Sequence, residues 1–151
     1  MNKKVLIIIS FILLIVVGII AFCLWYSNPR VAFQRKFHFR LPNSAEILNE
    51  SYSFYYDSLD LKVNFDSEDL KEIQEKIKDY AVNYGLREVK IKNDTTMFNF
   101  SVCCHWWDEE KEKVILAYEA YKQGRWGAKT RIICVLITQD SQGKYFLHIR
   151  Y

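Results

Sequence analysis

Glycine and proline are scarce in this chain of 151 residues, which contains five of the first and two of the second. So few flexible or kinking residues argue against long linkers and low-complexity tracts. Half of the residues are hydrophobic, which excludes a disordered chain. Ten Tyr, ten Phe and four Trp supply large side chains, so even a small domain can bury a core.

Acidic residues are missing from the first 40 positions, where six Lys and Arg residues lie. The rest of the chain carries 15 basic and 18 acidic residues, a net charge of −3. Nucleic-acid binding needs a basic face that neutralises phosphates, so we expect no nucleic-acid partner. The amino-terminal basic residues suit anionic lipid headgroups better.

Recognisable catalytic and cofactor motifs are also missing. The chain has no G-x-S-x-G nucleophile turn, no H-E-x-x-H zinc motif and no glycine-rich phosphate loop. We therefore expect no cofactor, and we favour a function that is not enzymatic.

One long hydrophobic run is present, from Val5 to Tyr26. It contains no charged residue. At about 1.5 Å per residue it spans roughly 33 Å as a helix, close to the hydrocarbon thickness of about 30 Å. Trp25 and Tyr26 end it, as aromatic residues do at a membrane interface. The sequence predicts a transmembrane anchor at residues 5–26, with the lipid bilayer as its partner.

Two other interpretations of this run are a cleaved signal peptide and a lipidation signal. A signal peptide has a shorter apolar region, of about 7 to 15 residues, followed by small residues at the cleavage site. A lipidation signal has a small residue before the modified cysteine, whereas Phe22 precedes Cys23. We therefore favour a retained anchor.

The orientation of the anchor is open in the sequence. The short basic tail at residues 1–4, followed by a long apolar run, is typical of a signal anchor and places the domain on the extracytoplasmic side. The Lys and Arg residues between positions 30 and 40 favour the opposite orientation by charge counting. We favour the extracytoplasmic side.

The remainder divides into a juxtamembrane connector at residues 27–43 and a domain at residues 44–151, which we expect to fold by itself. Asn28-Pro29 ends or kinks the anchor helix, because the residue before proline avoids the α region. Phe33 and Phe37 either share a helical face on the membrane surface or continue the anchor helix.

Local patterns predict a hairpin and then a helix. Apolar and polar residues alternate from Leu59 to Phe65, which predicts a strand with one buried face, paired with the preceding segment. Asp66 or Ser67 can cap a helix that follows, and Gly85 can end it. The apolar stripe expected for this helix consists of Leu70, Ile73, Ile77, Tyr80, Ala81 and Tyr84.

Mostly strands are predicted after the helix. Alternation from Thr96 to Trp106 is followed by three longer runs with short connections, which are typical of antiparallel neighbours. Those runs are Lys113–Lys122, Lys129–Gln139 and Lys144–Tyr151. Ile132–Ile137 is apolar on both faces and should be a central strand. The sequence thus predicts an α+β fold, a two-layer domain of mostly antiparallel sheet with one main amphipathic helix.

Cys103, Cys104 and His105 form the most unusual local cluster. In a strand, Cys103 and His105 point to the same side and could supply two metal ligands, but a closed site needs about four. The chain has no second motif with ligand spacing, so we expect no metal site. Cys103 or Cys104 could form a disulfide with Cys134, or all three could be buried thiols, which we favour.

These residues are compatible with two functions. The favoured one is a non-enzymatic binding or accessory domain for an unknown protein or surface component. The alternative is a small membrane-anchored hydrolase or thiol enzyme that uses Cys103, Cys104 and His148.

Three tryptophans are candidate recognition residues for the favoured function, because aromatic side chains are enriched in binding surfaces. They are Trp106, Trp107 and Trp126. Their alternative role, which we favour, is to cover the ends of the core.

Overall fold

A computed structural model describes residues 3–53, 58–89, 106–108, 111–123 and 129–151. The described residues form three α-helices, a short 3₁₀ helix at Ser67–Asp69 and six strands. In chain order these elements are α1 (Lys3–Tyr26), α2 (Pro29–Phe37), β1 (Glu46–Ser53), β2 (Ser58–Phe65), α3 (Leu70–Tyr84), β3 (Arg87–Glu88), β4 (Glu112–Gln123), β5 (Lys129–Asp140) and β6 (Tyr145–Arg150).

The six strands form one antiparallel sheet in the order β1-β2-β6-β5-β4-β3. The β1–β2 hairpin and the central position of β5 are both confirmed. β5 is buried on both faces from Ile133 to Thr138, because strands flank it and side chains cover both sides. The predicted α+β class is therefore confirmed, and the alternation predicted from Thr96 lies outside the described residues apart from Trp106.

β2 supplies one wall of the core. Its four alternate apolar residues are at most 3% exposed, and they are Leu59, Leu61, Val63 and Phe65. They pack in one hydrophobic cluster with α2, α3, β5 and β6. The residues between them, including Lys62, are half-buried and point to the other face of the sheet.

α3 packs on this core with the apolar stripe that its spacing predicted. Ile73, Ile77, Tyr80 and Ala81 are buried. Gly85 ends the helix with φ +67, a left-handed conformation that glycine adopts without steric cost. Tyr84 differs from the prediction and is 52% exposed. It lies in the last turn, where its ring stacks on that of Tyr80 with 4.3 Å between centroids.

The start of α3 is held by a neighbouring loop. We predicted Asp66 or Ser67 as the cap, and the side chain of Asp66 makes no capping hydrogen bond within the described part of the chain. Ser44 instead donates a hydrogen bond to the Asp69 carboxylate and accepts one from the backbone N–H of Asp66, at 3.5 Å. The tertiary contact thus replaces the local cap.

α2 is a separate helix in the core, which differs from both sequence interpretations of this segment. The Asn28 side chain caps it by accepting from the backbone N–H of Arg30 at 3.0 Å, and Pro29 occupies its first turn. Phe33 and Phe37 are 0% and 2% exposed, and their rings stack 4.9 Å apart. The core of the domain therefore extends into the segment that the sequence assigned to a connector.

α1 differs from the other helices in its surroundings. Its segment Ile7–Tyr26, 20 residues with a mean hydropathy of 3.3, is long and apolar enough to cross a membrane. No residue of that segment is buried in the rest of the protein, and only Tyr26, at its end, is half-buried. The domain therefore leaves this apolar surface uncovered.

Candidate functional site

Polar side chains from four strands meet on the sheet face opposite α2 and α3. Lys62 of β2 lies directly across from His148 of β6 in the antiparallel register. His148 lies between Leu147 and Ile149, which belong to the helix-side core, so its own side chain points to the opposite face. Together with Thr138 of β5 and Glu112 of β4, these two residues form a polar cluster, which we call the Glu112 cluster.

The carboxylate of Glu112 binds the other three side chains. Its Oε1 lies 2.5 Å from the Nζ of Lys62, and its Oε2 lies 2.7 Å from the Nε2 of His148. The hydroxyl of Thr138 donates a hydrogen bond to the same Oε2, also at 2.7 Å. One carboxylate therefore connects β4 to β2, β5 and β6.

The segment 106–108 lies beside this cluster. Lys62 Nζ donates to the backbone carbonyl of Trp106 at 2.9 Å, and the indole N–H of Trp107 donates to the carbonyl of Glu112 at 3.4 Å. Trp107 also packs against a small second hydrophobic cluster that includes Cys134 and Leu136. The Glu112 cluster thus holds a connecting segment against the sheet.

Glu112 is ionised over the whole physiological pH range. Burial by itself raises its pKa, since a charge in a low-dielectric interior is unfavourable. The hydrogen bonds from His148, Lys62 and Thr138 outweigh burial and hold the pKa of Glu112 at about 2. The pair with Lys62 is therefore a satisfied, largely buried ion pair.

His148 is neutral in this arrangement, and its proton lies on Nε2. Burial lowers its pKa below the usual 6.5; the hydrogen bond to Glu112 opposes this shift, while the nearby positive charge of Lys62 adds to it. An ionised carboxylate only accepts hydrogen bonds, so the Nε2–H must donate to Glu112. Among the described residues the Nδ1 atom has no hydrogen-bond partner, and it is buried.

The Glu112 cluster has the side-chain arrangement of a general base, but its basic atom is not accessible to solvent. A histidine oriented by a carboxylate has the arrangement of a general base, with Nδ1 as the basic atom. However, His148 is only 1% exposed, so solvent does not reach that atom in this conformation. Within the described residues no group of three or more His, Cys, Asp or Glu side chains could hold a metal ion.

Several candidate residues from the sequence lie outside the described residues, namely Cys103, Cys104, His105 and Trp126. The disulfide and the thiol site therefore stay predictions. Cys134 is buried, at 1% exposure, beneath Trp107. Trp107 is 9% exposed and so covers part of the core, while Trp106 is half-buried.

Sequence reasoning missed Lys62, Glu112 and Thr138. Lys62 fell on the polar face of a predicted strand, and Glu112 fell just before the predicted run Lys113–Lys122. Glu112 is in fact the first residue of β4 and is 6% exposed. The sequences of β5 and β6 did contain a signal, because the polar residues Thr138 and His148 interrupt apolar runs. Their common partner, Glu112, is brought to them by strand register, which the sequence alone does not show.

A second candidate site is a groove of about 510 Å³ between the end of α2 and the last turns of α3. Its aromatic walls include Tyr80 and Tyr84, and the ring of His38 stacks on that of Tyr84, with 5.5 Å between centroids. Lys76 and Asp79 line it with charges of opposite sign. Of these rings His38 and Tyr84 are exposed, and exposed aromatic rings beside charged groups are typical of a binding surface.

No family model, no curated protein and no solved structure matches this chain.

Proposed function

We propose that this chain is a single-pass membrane protein whose α+β domain binds a protein or a surface component on the extracytoplasmic side. The observation that carries the proposal is the segment Ile7–Tyr26, which is apolar along its length and has no residue buried in the domain; only Tyr26, at its end, is half-buried. A helix that is apolar on all sides is stable only when a protein core or lipid surrounds it. Since the domain does not surround it, lipid is the environment that fits.

The contacts at the end of α1 support a retained anchor rather than a cleaved signal peptide. Tyr26, the last residue of α1, accepts a hydrogen bond from Arg35 of α2 at 2.9 Å. The rings of Tyr26 and Tyr52 of β1 lie 6.4 Å apart. Removal of the apolar run would leave these groups of the folded domain without their partner.

Binding rather than catalysis is supported by the state of the polar groups. His148, the candidate base, is buried and hydrogen-bonded within the Glu112 cluster, where it braces the sheet. The groove beside Tyr84, by contrast, opens to solvent and has both aromatic and charged walls. We therefore assign no reaction to the domain.

The membrane part of this proposal is tested by alkaline carbonate extraction of membranes that contain the full chain, followed by intact-mass measurement. We expect the chain to stay in the membrane pellet with its amino-terminal run present. A soluble chain that begins after Tyr26 would contradict the proposal and identify a cleaved signal peptide.

A thiol enzyme is the second candidate function, favoured by one specific observation. Glu112 holds His148 so that Nδ1 is unused among the described residues, as in a Cys–His pair with an orienting carboxylate. In this alternative Cys103 or Cys104 is the nucleophile.

Alkylation with iodoacetamide at neutral pH, read by peptide mass mapping, separates the two functions. A nucleophilic thiolate has a depressed pKa and reacts quickly, whereas a buried structural thiol reacts slowly. Binding alone predicts slow modification of Cys103 and Cys104, unchanged in His148→Gln as long as that variant is folded. Fast modification that His148→Gln slows would favour the enzyme.

A further inference from the structure

The connection between α1 and the domain is short, and both of its backbone N–H groups are hydrogen-bonded. Only Ser27 and Asn28 separate α1 from α2. The N–H of Ser27 donates to the carbonyl of Cys23 at 3.0 Å, and that of Asn28 donates to the carbonyl of Trp25 at 3.2 Å. Since the Asn28 side chain also caps α2, both residues of the connection are held.

Arg35 of α2 reaches back across this connection. One guanidinium nitrogen donates to the carbonyl of Tyr26 at 2.9 Å, and the guanidinium carbon lies 3.4 Å from the centre of the Tyr26 ring. The other terminal nitrogen donates to the hydroxyl of Tyr52 in β1 at 3.0 Å. One side chain thus joins α1, α2 and β1.

Physical chemistry makes this a strong junction. The last carbonyls of a helix have no partner inside the helix, and a cation beside them interacts favourably with the negative end of the helix dipole. A guanidinium over a tyrosine ring adds a cation–π interaction that strengthens as water is excluded. The flat fork of arginine can serve Tyr26 and Tyr52 together, which a lysine ammonium does not match.

The other basic residues of this region have different tasks. Arg30 donates to the backbone carbonyls of Pro42 and Ala45. Lys36 is 8% exposed, and its ammonium lies 4.1 Å from the centre of the Tyr151 ring. These two cations contact the domain itself, so they are not simply a charge patch for lipid headgroups.

We infer that Arg35 locks α1 to the domain, so that the domain is carried on the bilayer in one fixed orientation with the β1 edge nearest the membrane. This inference rests on the proposed membrane anchoring. β1 is an edge strand, and β4 lies four inter-strand spacings away, about 19 Å across the sheet. Because Arg35 ties Tyr52 of β1 to the end of α1, the β1 edge is the membrane-facing surface. The β4 side of the sheet then points away from lipid.

The test uses the full chain in lipid nanodiscs that contain a lipid with a paramagnetic headgroup. Relaxation of backbone amide signals in NMR then reports the distance of each strand from the bilayer surface. We expect amides of β1 to relax more than about tenfold faster than those of β4, because the effect falls with the sixth power of distance across about 19 Å. Equal relaxation of the two strands in the natural chain would overturn the inference.

Three variants complete the test. Arg35→Ala should reduce the contrast between β1 and β4 severalfold, since the domain then reorients on its connection. Arg40→Ala removes the same charge from an exposed position just beyond α2 and should leave the contrast unchanged. If Arg35→Ala does not fold, Tyr52→Phe removes only one hydroxyl from the junction and should reduce the contrast by itself.

An unchanged contrast in Arg35→Ala, or in Tyr52→Phe where Arg35→Ala does not fold, would also overturn the inference. A chain that does not copurify with nanodiscs would contradict the membrane anchoring instead. The two proposals therefore fail in distinguishable ways.

Discussion

Glu112 accepts hydrogen bonds from side chains of three other strands, so its carboxylate has a larger structural role than its place at the start of β4 suggests. Buried ion pairs are costly to form but even more costly to break, because the remaining charge is left without a partner. Here the remaining charge would be Lys62, whose side chain is 12% exposed. The sheet face opposite the helices therefore depends on one acid.

Glu112→Gln keeps the shape of the side chain and removes its charge. We expect a loss of about 3 to 5 kcal/mol in the free energy of unfolding, because Lys62 loses its counterion. Glu72→Gln is the matched control, since Glu72 pairs with Lys76 on the exposed surface of α3. It should change stability by less than about 0.5 kcal/mol. Urea unfolding of the full chain in mild detergent measures both, and equal losses would contradict the role of Glu112.

Acid should weaken the fold in two steps. The pKa of His148 is lowered on folding, so the unfolded chain binds a proton first and stability falls as pH drops below about 6.5. The pKa of Glu112 is about 2 in the fold and 4.5 without these contacts, so a second loss, of about 3 kcal/mol, follows between those values. Unfolding curves across pH should show the second step in the natural chain and lack it in Glu112→Gln. Parallel curves would show that Glu112 is not the titrating group.

At the scale of elements, two substitutions in α3 test the packing on the helix side of the sheet. Ile77 is 1% exposed in the core, whereas Glu75 lies on the exposed side of the same helix. Ile77→Ala should open a cavity and cost about 2 to 5 kcal/mol, and Glu75→Ala should stay within about 0.5 kcal/mol. Denaturant unfolding of the two variants compares them directly. A larger loss for Glu75→Ala would mean that α3 faces the other way.

Two shortened chains test whether the folded domain includes α2. A chain that starts at Asn28 keeps the cap of α2 and the two buried rings of Phe33 and Phe37, and we expect it to fold. A chain that starts at Leu41 lacks both rings, each worth about 3 to 5 kcal/mol against a total stability of about 5 to 15 kcal/mol. Circular dichroism and thermal unfolding should therefore find the longer chain folded and the shorter one unfolded, which reverses the expectation from sequence that residues 44–151 fold by themselves. A stable chain from Leu41 would show that α2 is dispensable.

The elements that sequence could predict are those whose signal is local. The alternation around Val63 and the helical spacing around Ile77 each lie within one element, and both are confirmed. The role of Phe33 was missed, because basic residues beside an apolar run are also typical of a membrane surface. The Glu112 cluster was missed for a different reason. Its members meet only through the register of four strands, and no local pattern encodes that register.

At the scale of the whole molecule, an apolar helix and a mildly acidic domain are joined at one end. The 18 acidic residues all lie beyond Arg40, while the first 40 positions carry only basic charge. Arg35 and the capped connection at Asn28 make the junction between them rigid. In the proposed arrangement this junction holds the domain at a set height above the bilayer.

The most direct test of the proposed membrane-anchored arrangement is to determine on which side of the membrane the domain lies. Paired reporter fusions after Tyr151, one active only outside the cytoplasm and one active only inside, measure it in a bacterial host. We expect activity from the extracytoplasmic reporter alone, because the short basic tail before Val5 stays in the cytoplasm. Activity from the cytoplasmic reporter alone would show that the basic residues of 30–40 set the orientation, and it would contradict an extracytoplasmic binding domain.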